Sequence, residues 1–178
     1  MKKKAKWVTM TAVIIALLIV WQIVMGPLIS VNPAMVIVMG SGVNLLFIVA
    51  VMVNGFSSGL IVSILAPLIT GIMGIGGIPL PLAPFIMAGN VALILVWFLI
   101  GRLKTGKKPV VYLIAAIAAA AVKFVVLFIL VVKIAVPLLN LPPMISVAFS
   151  APQFITALIG GLLALLLVPV LQKVVKMD

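Results

Sequence analysis

Residues 110–133 read VVYLIAAIAAAAVKFVVLFILVVK, and the interpretation of this stretch decides the fold. Its apolar side chains follow one another without the two-residue alternation of a half-buried strand, and residues 154–167 behave the same way, which makes a β-barrel a poor fit. Such a run matches the roughly 20 residues that an α-helix needs to cross bilayer hydrocarbon. The whole chain agrees with it: of 178 residues 67% are hydrophobic and 7% charged, and the mean hydropathy is +1.57. At about 20 apolar residues per span plus short turns, that length fits about six passes. The sequence therefore predicts an all-α integral membrane protein, one domain over residues 1–178 with six transmembrane helices and external irregular loops.

Helix five, about Val110 to Lys133, is entered through Pro109 after a basic turn holding Arg102, Lys104, Lys107 and Lys108. Helix four is expected from about Phe85 to Leu103. Before it, residues 74–84 (GIGGIPLPLAP) hold three glycines and three prolines, which remove donors and favour irregular backbone, so no helix is expected there. Non-helical backbone at membrane depth must be covered by protein or line a cavity. Helix three is expected from about Ser57 to Met73, interrupted by Pro67. Helix two runs from about Met35 to Val53 and stops at the turn Asn54-Gly55. The first apolar stretch, Trp7 to Leu28, is closed by Gly26-Pro27; it is longer than the roughly 7–15 residues of a signal-peptide core, so it reads as a retained helix. Downstream, residues 134–149 form a second irregular stretch with Pro137, Asn140, Pro142 and Pro143. Helix six opens on Ser150-Ala-Pro-Gln153, the pattern of a capping box with proline in the first turn, and is expected to end near Pro169.

Orientation follows from the basic residues. Ten of the twelve lie in the N-terminal cluster (Lys2, Lys3, Lys4, Lys6), the 102–108 turn and the C-terminal tail (Lys173, Lys176), and the opposite loops have only Lys133 at their edge. The positive-inside rule places both termini in the cytoplasm (N-in/C-in), with the Asn32 loop and the two proline-rich loops outside. The net charge of +11 is thus a topology signal of a multi-pass cell-membrane protein, not a nucleic-acid footprint.

Composition removes most chemistry. There is no histidine, no cysteine and a single acidic residue, Asp178, so carboxylate dyads, Ser-His-Asp triads, thiol nucleophiles and ordinary metal sites lack their side chains. Gly101 to Lys107 resembles a phosphate-binding loop, but Lys108 stands where Ser or Thr should hold magnesium, and the segment joins two membrane helices instead of a strand and a helix. It reads as a basic topology loop. No catalytic residue, cofactor or metal is expected.

Lys123 is the sharpest signal. It sits near the middle of helix five, roughly 15–20 Å from either end at 1.5 Å per residue, and a central lysine costs about 2.5–3.5 kcal/mol on insertion scales. No acid is present in the membrane to pair with it. Two roles stay open: contact with a ligand, or solvation by carbonyls or a partner subunit. Other polar groups fall toward the external side, with Asn90 in helix four, Gln153 and Thr156 one turn apart on helix six, and Asn32, Asn140 and Ser146 in the loops. Together with Lys123 they outline a pocket opening outward. Asn44, in mid-helix two, reads as interhelical glue. A Ser-Lys hydrolase would require Lys123 beside Ser146 or Ser150. A stand-alone carrier would be expected to show intramembrane acids or repeated halves, and neither is seen. Ala12 and Ala16 make a smooth stripe on helix one, suited to internal packing or to a partner helix.

The lysine-rich start, Ala12-x-x-x-Ala16, the Gly/Pro-rich loop feeding Pro84-Phe-Ile-Met-Ala-Gly-Asn90, Lys123-Phe, and Ser150-Ala-Pro-Gln-Phe-Ile-Thr-Ala-Leu-Ile-Gly-Gly161 together resemble the substrate-binding S components of energy-coupling factor (ECF) vitamin transporters. The resemblance covers nearly the whole chain through short motifs in a fixed order. It implies a membrane-embedded protein that binds a vitamin or vitamin precursor from outside, and that works with an ECF transmembrane coupling protein and two ATPase subunits. It also implies that Ala12 and Ala16 contact the coupling protein, and that the pocket lies on the external side. With its single acid at position 178 and few aromatic residues, a neutral or anionic cargo suits Lys123 better than a cationic one. Pantothenate, nicotinate, or a pyrimidine or thiazole precursor all fit that description.

Overall fold

The computed structural model describes residues 2–103 and 107–176. Lys104 and Gly106 of the basic turn and Asp178 of the tail lie outside the described residues. Within them every regular element is helical: α1 (Lys2–Val31), α2 (Met35–Val49), α3 (Phe56–Ile72), α4 (Ala83–Ile100), α5 (Lys108–Leu127), α6 (Val136–Leu138), α7 (Pro143–Ala148) and α8 (Ala151–Lys176). Two helices continue with a wider winding, α2 through a π-helical turn at Ala50–Asn54 and α5 through a π-helical stretch at Phe128–Ala135 that leads into α6.

Five helical stretches are long and apolar enough to cross a membrane: Lys3–Val31, Met35–Asn54, Leu80–Ile100, Lys108–Leu138 and Pro143–Val175. The protein is a multi-pass helical membrane protein. α3 is apolar but has 17 residues, which at 1.5 Å per residue gives about 26 Å against a hydrocarbon core of about 30 Å.

Proline does not end helices here as the sequence reading expects. α1 continues through Gly26 and Pro27 to Val31, α3 is unbroken at Pro67, and α8 passes Pro169 and reaches Lys176. A proline removes one N–H and crowds one carbonyl, whereas fraying the helix in apolar surroundings would strip many backbone groups of partners at once. The 74–84 segment is not free of helical turns either. It folds as two single 3₁₀ turns, Ile75–Gly77 and Leu80–Leu82, and then enters α4. Gly74, Gly76 and Gly77 supply its positive φ angles, which side chains bearing a Cβ rarely adopt. The second irregular stretch likewise contains α6 and α7. At the start of α8 the expected capping box does not form: Ser150 Oγ donates to the Val147 carbonyl at 2.7 Å, and Gln153 Nε2 donates to the Ala148 carbonyl at 3.2 Å.

Hydrogen bonds gather the basic segments at one end of the bundle. Lys6 Nζ donates to the Val175 carbonyl at 2.8 Å, joining the beginning of α1 to the end of α8. Gln172 Nε2 donates to Met52 O at 2.8 Å, and Arg102 reaches Val51 O at 3.4 Å. The connections 31–35, 73–83 and 139–150 lie at the opposite end, where Gly26 of α1 packs against Ile75.

α8 packs on α2 and α5, α4 on α5 and α3, and α1 on α2 and α3. The closeness of α8 to its neighbours depends on Gly40 of α2, where a Cβ would stand 2.8 Å from Thr156 Cγ2, and on two glycines of its own. A Cβ on Gly160 would stand 2.8 Å from both Asn44 Cβ and the Ser41 carbonyl oxygen, and one on Gly161 would stand 2.7 Å from Ala116 Cβ. The large core around Phe47, Leu93, Trp97 and Ala116 fills the middle and the basic half. A smaller one, around Leu82, Leu127, Val131 and Phe149, sits near the other end.

Candidate functional site

Lys123 lies on α5 five residues before the π-helical stretch and is only 3% exposed. Its Nζ donates to Asn44 Oδ1 at 2.7 Å and stands 5.7 Å from the centroid of the Phe47 ring. Asn44 and Phe47 are three apart on α2, so they share a face. Asn44 Nδ2 in turn points to Thr156 Oγ1 at a long 3.4 Å, and that hydroxyl donates to the Gln153 carbonyl at 3.2 Å. A polar chain thus crosses from α5 through α2 to α8. Asn44 joins helices as the sequence suggests, but it does so by holding the lysine. An ammonium has three donors, so Asn44 leaves Lys123 with further donor capacity.

Beside this chain is a cavity of about 120 Å³, walled by α2 from Val36 to Asn44, the first half of α4, the beginning of α8, the end of α3, the second halves of α1 and α5, and the loop residues Ile78 and Phe149. It lies toward the end opposite the basic one. For scale, an apolar cavity of roughly 150 Å³ holds benzene, whereas pockets for drug-sized ligands run to about 300–1,000 Å³. The space suits a molecule with one ring or its equivalent.

Four of the residues expected from the sequence meet on this wall: Asn90, Lys123, Gln153 and Thr156. Asn90 arrives through a close approach of α4 to α5, since a Cβ on the preceding Gly89 would fall 2.4 Å from Leu127 Cγ; its Nδ2 donates to the Ser63 carbonyl at 3.2 Å. Asn32 and Asn140 do not line the cavity. Both are exposed and serve their own turns: Asn32 Oδ1 accepts from the Ala34 N–H at 3.0 Å, and Asn140 takes a φ of 50° after α6. Ser146 and Ser150 are also absent from the wall.

The wall holds residues that sequence reasoning passed over, Gln22 and Thr70 above all. Gln22 Nε2 donates to the Ala66 carbonyl at 3.2 Å and to Thr70 Oγ1 at 3.1 Å. The signal was a lone amide in the middle of an otherwise apolar first helix.

Ala12 and Ala16 lie on the outer surface of α1, exposed among Val8, Val13, Leu17 and Val20. The stripe is therefore not part of the packing inside the bundle.

Fold and cavity together define a class: a multi-pass helical membrane protein with a small, mainly apolar cavity that bears a buried lysine, toward the end of the bundle opposite most of its basic residues. No family model, curated protein or solved structure matches the chain.

Proposed function

We propose that this chain is the substrate-binding S component of an ECF-type vitamin transporter, a membrane protein that binds its cargo and catalyses no reaction. The observation that carries the reading is the convergence of Asn90, Lys123, Gln153 and Thr156 from three helices onto one cavity. A buried lysine with one amide partner and no acid to pair with suits a neutral or anionic vitamin or precursor, and the volume favours a single ring. Nicotinate or a pyrimidine or thiazole precursor fits such a space better than the longer pantothenate.

In this reading α3 is the sixth span, shortened by a few ångströms, a mismatch that a bilayer accommodates by local thinning. The basic end faces the cytoplasm of the cell membrane by the positive-inside rule, so the cavity faces outward. The outer face of α1 with Ala12 and Ala16 is the docking stripe for the coupling protein, and two ATPase subunits supply the energy. Because the chain has no cysteine, single cysteines report its sidedness. Those at Asn32 and Asn140 should react with an impermeant thiol reagent from outside and one at Gly106 should not; the opposite pattern inverts the topology.

The functional test is purification of the tagged protein from its native membrane. ATPase and coupling subunits should copurify, and native mass spectrometry should show a bound small molecule below roughly 300 Da. Recovery of the chain alone and empty argues for the alternative of a stand-alone transporter or channel.

A further inference from the structure

Two buried polar side-chain atoms among the described residues have no hydrogen-bond partner, Gln22 Oε1 and Trp97 Nε1. Their surroundings differ. Trp97 is packed in the core edge-on to Tyr112, with ring centroids 5.8 Å apart, and does not line the cavity that bears Lys123. Gln22, 1% exposed, is part of the wall that also bears Lys123.

The orientation of the Gln22 amide is fixed by its neighbours. The Thr70 hydroxyl donates to the Ala66 carbonyl at 2.9 Å, so both groups facing the Gln22 amide, Ala66 O and Thr70 Oγ1, can only accept from it. Turning the amide over would set oxygen against the Ala66 carbonyl. Nε2 is therefore held on that side, and Oε1 is left as the orphan. A buried acceptor without a donor has given up its water hydrogen bonds for nothing in return, a loss that a packed apolar side chain would avoid. A ligand that brings a donor removes the cost.

We propose that Gln22 is a specificity-determining residue of the cavity, its Oε1 accepting a hydrogen bond from an N–H or O–H of the ligand, while Lys123 donates to an acceptor on the same molecule. The substrate class that follows is a small, one-ring-sized, bifunctional compound with an anionic or strong acceptor group on one side and a donor on the other. The inference rests on the cavity being the ligand site, and it adds a requirement that Lys123 alone does not impose.

Matched probes test it: 3- and 4-aminobenzoate against 3- and 4-methylbenzoate, which keep the ring and carboxylate and exchange only N–H₂ for a methyl of similar size. They would be titrated calorimetrically into the full chain in detergent. The expected result is that at least one aminobenzoate binds about 3- to 10-fold tighter than its methyl twin, the effect of one neutral hydrogen bond. Gln22→Met should abolish that preference. Equal binding of the twins, binding of neither pair, or a preference that survives in a folded Gln22→Met overturns the assignment. If Gln22→Met does not fold, the wild-type comparison decides alone. Lys123→Met separates the two ideas: loss of affinity for both twins supports the lysine's contact with the carboxylate, while unchanged affinity with a retained amino preference removes Lys123 and leaves Gln22. The copurification result is independent of all these titrations, so the transport reading can fail without them.

Discussion

At the basic end of the bundle Asn54, Thr11, Ser58 and Gln172 close hydrogen bonds between helices, whereas the cavity wall that bears Lys123 keeps one buried acceptor, Gln22 Oε1, without a partner. Asn54 Nδ2 reaches Trp7 O at 2.9 Å and Thr11 Oγ1 at 2.8 Å, and Thr11 contacts Ser58 at 3.0 Å. Gln172 bonds Met52 and lies 3.4 Å from the Tyr112 hydroxyl. At the other end, among the described residues, Lys123 Nζ has one hydrogen-bond partner, Asn44, and Gln22 Oε1 has none, and both residues line a cavity. The polar residues of the first region hold helices together; those of the second also join α5, α2 and α8, but leave Gln22 Oε1 without a donor. Polarity inside a membrane bundle is thus ambiguous in sequence and becomes informative once the partners are known.

The largest effect is expected in the packed region. Gly161→Leu would press a side chain into Ala116, and overpacking costs about 1–3 kcal/mol; with the Ala116 Cα only 3.2 Å from the new Cβ, the upper end of that range is expected as a lower thermal midpoint in detergent. An unchanged midpoint would show that α5 and α8 are looser than described. Next, Asn44→Leu should cost about 1–3 kcal/mol because it strips Lys123 of its acceptor. The double variant Asn44→Leu/Lys123→Met should recover much of that loss, and strict additivity would break the account of Asn44 as the lysine's holder. Smallest in stability are Ala12→Trp and Ala16→Trp, on the exposed face of α1, expected within about 0.5 kcal/mol of wild type. They should bind ligand normally yet fail to capture the coupling subunits in a pull-down. Normal capture would remove the docking role of the stripe.

The helices were legible in the sequence because apolar runs long enough to span leave little alternative, and most boundaries fall within a few residues of those expected. The errors cluster at Pro27, Pro67 and Pro169, where a stop signal learned from water-soluble helices was applied in a medium that punishes fraying more than a missing bond. That Lys123, Asn90, Gln153 and Thr156 share a cavity wall was foreshadowed because each is polar where apolar residues are the default. Asn32 and Asn140 lie off that wall, and their polarity serves local turns. Gln22 stood in plain view beside Trp21, but nothing in the sequence places helix one against Ala66 and Thr70. Only packing reveals that it shares a wall with a lysine 101 positions away.

In the proposed reading Lys123 contacts the ligand, which gives a reason for a lysine at a depth where it opposes insertion by about 2.5–3.5 kcal/mol. Calorimetric titration of wild type and Lys123→Met with the molecule identified by native mass spectrometry tests it most directly. A charge-assisted hydrogen bond is worth about 1.5–3 kcal/mol, so the variant should remain folded and lose about 10- to 150-fold in affinity. A folded Lys123→Met that binds as tightly as wild type would contradict the account and confine Lys123 to holding α2 through Asn44.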